Sequence, residues 1–96
     1  MKETNIILEA KSEFLKYLRS KFPIYHQSNI FFRDIHYGVL SYLQEHGMRS
    51  DYLSAEKVAA DVVAGFEREG ILKKINPRTW LLIYPDFALP STRKPA

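Results

Sequence analysis

The sequence predicts a small α+β domain in which three helices are followed by a two-stranded antiparallel β-hairpin. Three observations lead to this fold class. Apolar residues recur at helical spacing in three separate segments of the chain. Gly47 and Gly70 stand just after two of these segments, where helices commonly end. The stretch "ILKKINPRTWLLIY", residues 71–84, contains two β-prone segments on either side of a turn.

The first predicted helix is an N-terminal segment at about residues 5–22. Its apolar residues lie three, four or seven positions apart and therefore share one helical face. They are Ile7, Leu8, Phe14, Leu15, Leu18 and Phe22. Pro23 ends the pattern, because proline disfavours helical backbone in the residue before it.

A second helix is predicted after the polar joint "IYHQSN", with Ser28 or Asn29 as its cap. Gly47 closes it in a left-handed conformation. Gly38 lies inside this helix and costs roughly 1 kcal/mol relative to alanine, so close packing against another backbone is expected there. The apolar stripe of the helix is Phe32, Ile35, Val39, Leu40 and Leu43.

The third predicted helix begins at a Ser54 cap and ends at Gly70. Whether the preceding link, "MRSDYL" at residues 48–53, holds a short helix of its own stays open. The buried stripe of the third helix is Ala55, Val58, Ala59, Val62, Val63 and Phe66.

The predicted hairpin has the strands "ILKKI" and "TWLLIY", joined by a turn with Asn76 at its first position and Pro77 at its second. Both faces of the second strand are apolar, so either the first helix or another subunit is expected to cover the face of Leu81 and Ile83. Residues 1–87 are predicted to form one domain, and residues 88–96 a flexible basic tail.

Composition excludes several classes of protein. The chain has 96 residues, of which 46% are hydrophobic, and no cysteine, so a single folded domain is expected, without disulfides or thiolate metal sites. No aliphatic run is longer than three residues, as at 81–83, far shorter than a membrane span, which predicts a cytoplasmic protein without membrane contact. The net charge of +3 is unevenly placed: residues 1–70 carry −1 and residues 71–96 carry +4. This asymmetry favours a polyanion as partner of the hairpin and tail.

The run Phe66-Glu67-Arg68-Glu69-Gly70-Ile71-Leu72, which leads directly into a hairpin with its tip at Asn76-Pro77-Arg78, resembles the winged-helix family of DNA-binding domains. The resemblance covers about residues 31–84. It implies that the hairpin is the wing of that family and that double-stranded DNA is the partner. The third helix carries a net charge of −2 over residues 54–69, so sequence-specific readout of bases by this helix is not expected.

The predicted nucleic-acid contacts are therefore phosphate contacts, which position a protein without reading sequence. The candidate residues are three cations of the hairpin, two of the helical region and two of the tail: Lys73, Lys74, Arg78, Lys57, Arg49, Arg93 and Lys94. Lysines on a strand edge also serve simply to prevent aggregation, and this interpretation has equal weight. Six aromatic residues could stack on unpaired bases, but helical spacing places most of them in the core, and Trp80 is expected to be packed: they are Phe31, Phe32, Tyr37, Tyr42, Tyr52 and Trp80.

The alternative to DNA binding is a protein-interaction module, which keeps the winged-helix fold but binds protein instead of nucleic acid. In that case a homodimer is expected through the N-terminal helix, with Phe14, Tyr17 and Leu18, or through the apolar strand. No catalytic motif is present, and His26, His36 and His46 do not have metal-ligand spacing. We therefore expect neither an enzyme nor a cofactor, a metal or a small-molecule ligand.

Overall fold

The computed structural model describes residues 2–88. This region contains four α-helices, a three-stranded sheet and a short 3₁₀ turn. In chain order the elements are α1 (Lys2–Glu9), α2 (Lys11–Lys21), β1 (Asn29–Phe31), α3 (Phe32–Glu45), α4 (Tyr52–Arg68), β2 (Leu72–Asn76), β3 (Thr79–Leu82) and the 3₁₀ turn Pro85–Phe87. The predicted α+β class is confirmed. The numbers of helices and strands are larger than the sequence analysis predicted.

The predicted single N-terminal helix over residues 5–22 is wrong, because the chain changes direction at Ala10, between α1 and α2. Ala10 has φ −108° and ψ 38°, outside the helical region, although its carbonyl still accepts a hydrogen bond from the Phe14 N–H at 2.9 Å. The two halves pack on different partners: α1 lies against α4, and α2 lies against α3. Although Phe14 of α2 also reaches Phe66 of α4, the change of direction at Ala10 lets each half lie along its main partner.

The predicted two-stranded sheet is also incomplete. Residues Asn29–Phe31 form the edge strand β1, which pairs antiparallel with β3, whereas the sequence predicted Asn29 as the end of the polar joint and a candidate helix cap. The strand order is β1-β3-β2, so β3 is central. A strand of three residues is too short to show alternation in a sequence, and it forms here because the second edge of β3 offers unpaired backbone groups.

Helix α3 begins at Phe32 without a side-chain cap, so the predicted capping by Ser28 or Asn29 is wrong. The Phe32 N–H donates instead to the carbonyl of Arg78 at 3.0 Å. The predicted end at Gly47 is confirmed, because Gly47 has φ +75°, a conformation that favours glycine.

Helix α4 begins at Tyr52, two residues before the predicted cap. Asp51 is the actual cap, since its Oδ1 accepts a hydrogen bond from the Ser54 N–H at 2.8 Å. This hydrogen bond lowers the pKa of the Asp51 carboxyl. Residues 48–53, for which the sequence left a short separate helix open, contain none. Tyr52 and Leu53 are instead the first two residues of α4.

The core lies between the helices and the inner face of the sheet. Phe14 joins three helices at its centre, because its fully buried ring lies 5.3 Å from the ring of Tyr42 on α3 and 6.4 Å from that of Phe66 on α4. From the sheet, Trp80 and Leu82 are buried in the same core. The N-terminal helices are thus integral to the fold.

The outer face of the sheet is only partly covered. Leu81 is half-buried there, and Ile83, just past the end of β3, is 36% exposed. Helices α1 and α2 pack on α4 and α3, and they do not cover this face. Among the helices of residues 2–88, none has the length and apolar character that a membrane span requires.

Candidate nucleic-acid interface

The turn of the β2–β3 hairpin is fixed at both of its ends. The Asn76 side chain accepts a hydrogen bond from the Arg78 N–H at 3.0 Å, the local bond that favours asparagine in turns. The Arg78 carbonyl in turn accepts from the Phe32 N–H, so the turn is attached to the start of α3. The predicted turn at residues 76–78 is confirmed, and Arg78 projects from a well-defined position.

The two lysines of β2 lie on opposite faces of the sheet. Lys74 pairs with Trp80 of β3, and paired residues place their side chains on the same face. Lys73 pairs with Leu81, which belongs to the outer face. Beyond Lys74 the register shifts by one residue before Asn76, so Ile75 forms a bulge at the exposed edge. A single flat partner surface laid on one face of the sheet could therefore contact only one of these two lysines.

Lys74 and Arg78 line a cleft of about 360 Å³ between the hairpin and α4. The cleft also contains the carboxylates of Glu56 and Glu67. Glu67 is held in place, because its Oε2 accepts a hydrogen bond from the indole Nε1 of Trp80 at 2.8 Å. Trp80 is only 5% exposed, so its ring is packed and is not a stacking platform. This agrees with the interpretation favoured from the sequence.

Arg49 and Lys57 lie in a different cleft, of about 300 Å³, beside Glu3 of α1. They share it with Ser50, Ser54 and Val58. The structure therefore brings the predicted contacts together in two groups, Lys74 with Arg78 and Arg49 with Lys57, and leaves Lys73 apart. Arg93 and Lys94, with the predicted tail from residue 89 onward, lie outside the described residues.

The exposed surface of α4 carries acidic side chains, two of which, Glu56 and Glu67, line the hairpin cleft itself. Glu56, Asp61 and Glu67 are all exposed there. Carboxylates repel phosphates, so this face is not suited to the major groove of DNA. The expectation that α4 does not read bases is consistent with this geometry.

The hairpin cations are not engaged in ion pairs within residues 2–88. The ion pairs of this region join α2 to its neighbours, Lys11 with Glu69 and Lys21 with Glu45, and the His46 ring lies 3.4 Å from the Glu13 carboxylate. Lys73, Lys74 and Arg78 are all exposed, and no carboxylate of the described region lies within 4 Å of their charged groups. The charge of the hairpin is therefore available to an external anion.

Two further residues lie beside the hairpin: Arg33, which sequence reasoning missed, and Phe31, for which the sequence favoured a core position over base stacking. They line a third cleft together with Phe32 and Arg78, next to the hairpin turn. Phe31 is 45% exposed. The "FFR" sequence was assigned to the start of a buried helix, and only the pairing of β1 with β3 places it next to Arg78.

The histidines have structural partners. His36 is buried and donates from Nε2 to the carbonyl of Tyr52 at 2.8 Å, and His46 donates from Nδ1 to the carbonyl of Tyr42 at 2.8 Å. Within residues 2–88, no group of three or more side chains has the arrangement of a metal site.

Comparison of the chain with protein-family models, with curated proteins and with solved structures gives no match.

Proposed function

We propose that this protein binds double-stranded DNA with little sequence preference, through phosphate contacts of a winged-helix-like domain whose wing is the β2–β3 hairpin. The observation that carries the proposal is the set of three exposed hairpin cations without carboxylate partners in the described region. The order of helices and the antiparallel sheet are compatible with a winged-helix layout.

The number of cations sets the expected strength and salt dependence. If the three hairpin cations each neutralise one phosphate, log K falls with log[salt] with a slope of roughly −2.7. Raising the salt from about 50 to 200 mM then weakens binding roughly 40-fold. The interface is expected to be weak at physiological salt, because few contacts are made and α4 adds no base readout.

The test is the fluorescence anisotropy of a labelled random-sequence duplex at these two salt concentrations. Lys74→Glu/Arg78→Glu reverses the charges of the cleft beside α4 and is expected to abolish binding. Lys2→Glu/Lys16→Glu is the matched control, since it reverses two exposed cations on α1 and α2. Lys73→Glu alone shows whether the outer face of the hairpin takes part.

Salt-independent binding, or equal loss of binding in both double variants, would contradict a hairpin-led contact. Absence of binding at low salt would refute the proposal as a whole, because nonspecific phosphate attraction is its physical basis. Circular dichroism of each variant verifies that the fold is retained.

The competing proposal is a protein-interaction module, and the exposed outer face of the sheet favours it. The apolar face of α2 is used within the chain, since Phe14 and Leu18 are buried and the Tyr17 hydroxyl hydrogen-bonds to Glu45 at 2.9 Å. A symmetric dimer would then use Leu81 and Ile83. Sedimentation equilibrium distinguishes the two proposals: a dimer that becomes a monomer in Ile83→Lys supports the interaction module.

A further inference from the structure

The cleft beside the hairpin turn combines two arginines with an accessible aromatic ring. It has a volume of about 360 Å³ and is lined by Phe31, Phe32, Arg33 and Arg78. This volume is within the range of clefts that hold small ligands. One side of the cleft is formed by residues 31–33 and the other by the hairpin turn. The hydrogen bond from the Phe32 N–H to the Arg78 carbonyl, at 3.0 Å, holds these two sides together.

The two phenylalanines have different environments. Phe32 is half-buried; its ring lies 6.3 Å from that of Trp80, and the Arg78 guanidinium lies 5.8 Å from its centroid. Phe31 is 45% exposed and has no aromatic neighbour among residues 2–88. Its ring is therefore the one that an incoming ring can stack on.

A single exposed phenylalanine is an ordinary surface residue, so the arginines decide what the cleft can bind. Arg33 and Arg78 are exposed, and neither has a carboxylate within 4 Å in the described part of the chain. Guanidinium groups present several donors in a fixed plane, which suits phosphate oxygens. An aromatic platform flanked by positive charge is the combination that binds single-stranded nucleic acid.

We infer that this cleft binds one unpaired nucleotide, with its base stacked on Phe31 and its flanking phosphates held by Arg33 and Arg78. The base must be unpaired, because in a duplex both faces of each internal base are covered by its neighbours. The inference rests on the proposed function and narrows its partner to DNA with a single-stranded segment next to the duplex that the hairpin contacts.

The experiment compares three labelled DNAs by fluorescence anisotropy: a blunt duplex, the same duplex with an oligothymidine overhang, and free oligothymidine. Phe31→Ala is expected to weaken binding of both thymidine-bearing DNAs by a factor of about 5 or more, the loss of one stacked base. Its affinity for the blunt duplex is expected to stay unchanged. Phe31→Trp is expected to restore the loss, because indole also stacks.

Tyr37→Ala is the matched control, since Tyr37 is an aromatic residue on α3 that is 55% exposed and does not line the cleft. A direct signal comes from Phe31→Trp, whose new exposed indole is quenched when a thymine stacks on it. Tyr37→Trp is expected to show no quenching. The quenching experiment uses the two tryptophan variants and does not rely on weakened binding by Phe31→Ala. Its result is therefore valid even if Phe31→Ala folds poorly.

The outcomes separate the inference from the proposed function. Salt-dependent binding of all three DNAs that Phe31→Ala leaves unchanged, with no quenching in Phe31→Trp, overturns the inference and leaves hairpin-led binding in place. Absence of binding to any of them overturns both. Loss confined to the thymidine-bearing DNAs, together with quenching at position 31 alone, supports the unpaired-nucleotide site.

Discussion

Replacing Gly38 by alanine tests how closely α2 and α3 are packed. A Cβ atom built on Gly38 would lie 2.2 Å from Cδ2 and 3.4 Å from Cγ of Leu18. Unstrained carbon contacts are about 3.5–4.0 Å, so the Leu18 methyl group would have to move by more than about 1 Å. Leu18 is only 2% exposed, and it has no route to solvent that would relieve the overlap.

Two opposing terms set the size of the effect on the free energy of unfolding. Overpacking a core costs about 1–3 kcal/mol, and the severe overlap places Gly38→Ala in the upper half of this range. Replacing glycine by alanine inside a helix increases the stability of the helix by roughly 1 kcal/mol. The expected net loss of stability is therefore about 1–2 kcal/mol.

The prediction becomes sharper in the Leu18→Ala background, where the overlapping methyl group is absent. Leu18→Ala alone is expected to cost about 2–5 kcal/mol. Adding Gly38→Ala to it should then increase stability by roughly 1 kcal/mol, because only the helix term remains. The same substitution thus changes sign between the two backgrounds.

Urea denaturation, followed by circular dichroism and by the fluorescence of Trp80, measures the four free energies of this cycle. The denaturant slopes must agree among the variants for the comparison to be valid. If Gly38→Ala stabilises the unmodified protein, or if it destabilises both backgrounds equally, the packing argument is refuted.

Two further predictions concern polar groups at the N-terminal ends of helices. Thr4 is 5% exposed and its hydroxyl has no hydrogen-bond partner within residues 2–88, so Thr4→Val is expected to raise stability by about 1 kcal/mol in thermal unfolding; Thr4→Ser, which keeps the hydroxyl, should not. Asp51→Ala is expected to lower the melting temperature at neutral pH, because the Ser54 N–H loses its acceptor, whereas Asp51→Asn retains the cap. Since the backbone hydrogen bond from Ser54 lowers the pKa of Asp51 in the folded state, its charge contributes stability that is fully present above the ordinary pKa of an unfolded aspartate and is lost as the pH falls through the lower folded pKa. Asp51→Asn should lose this part of the pH dependence, and an unchanged acid melting curve would contradict the assignment of the cap.

The candidate site could be predicted from the sequence only in part. Lys73, Lys74 and Arg78 were identified from their charge and their place in the hairpin. Because Lys73 and Lys74 are adjacent in a strand, the sequence already predicts that they point to opposite faces of the sheet. Only the packing of the hairpin shows that Lys74 is the one beside α4. Phe31 was one of several aromatic residues weighed for base stacking, but its position next to Arg78 could not be predicted, because it depends on the pairing of β1 with a strand far along the chain.

The sequence by itself determined the features that depend on local backbone preference. Helices α3 and α4 are followed by Gly47 and Gly70, both with positive φ, and the turn at Asn76 uses the side-chain bond that asparagine makes locally. The α+β class follows from these signals and from the spacing of apolar residues.

Only the tertiary structure decided the break at Ala10, the strand β1 and the start of α3. At Ala10 the flanking helices find different partners, and β1 exists because Asn29 and Ile30 meet Leu81 and Trp80 across the sheet. These features depend on contacts between residues distant in sequence, whose free energy outweighs the weak local preference of the segments involved.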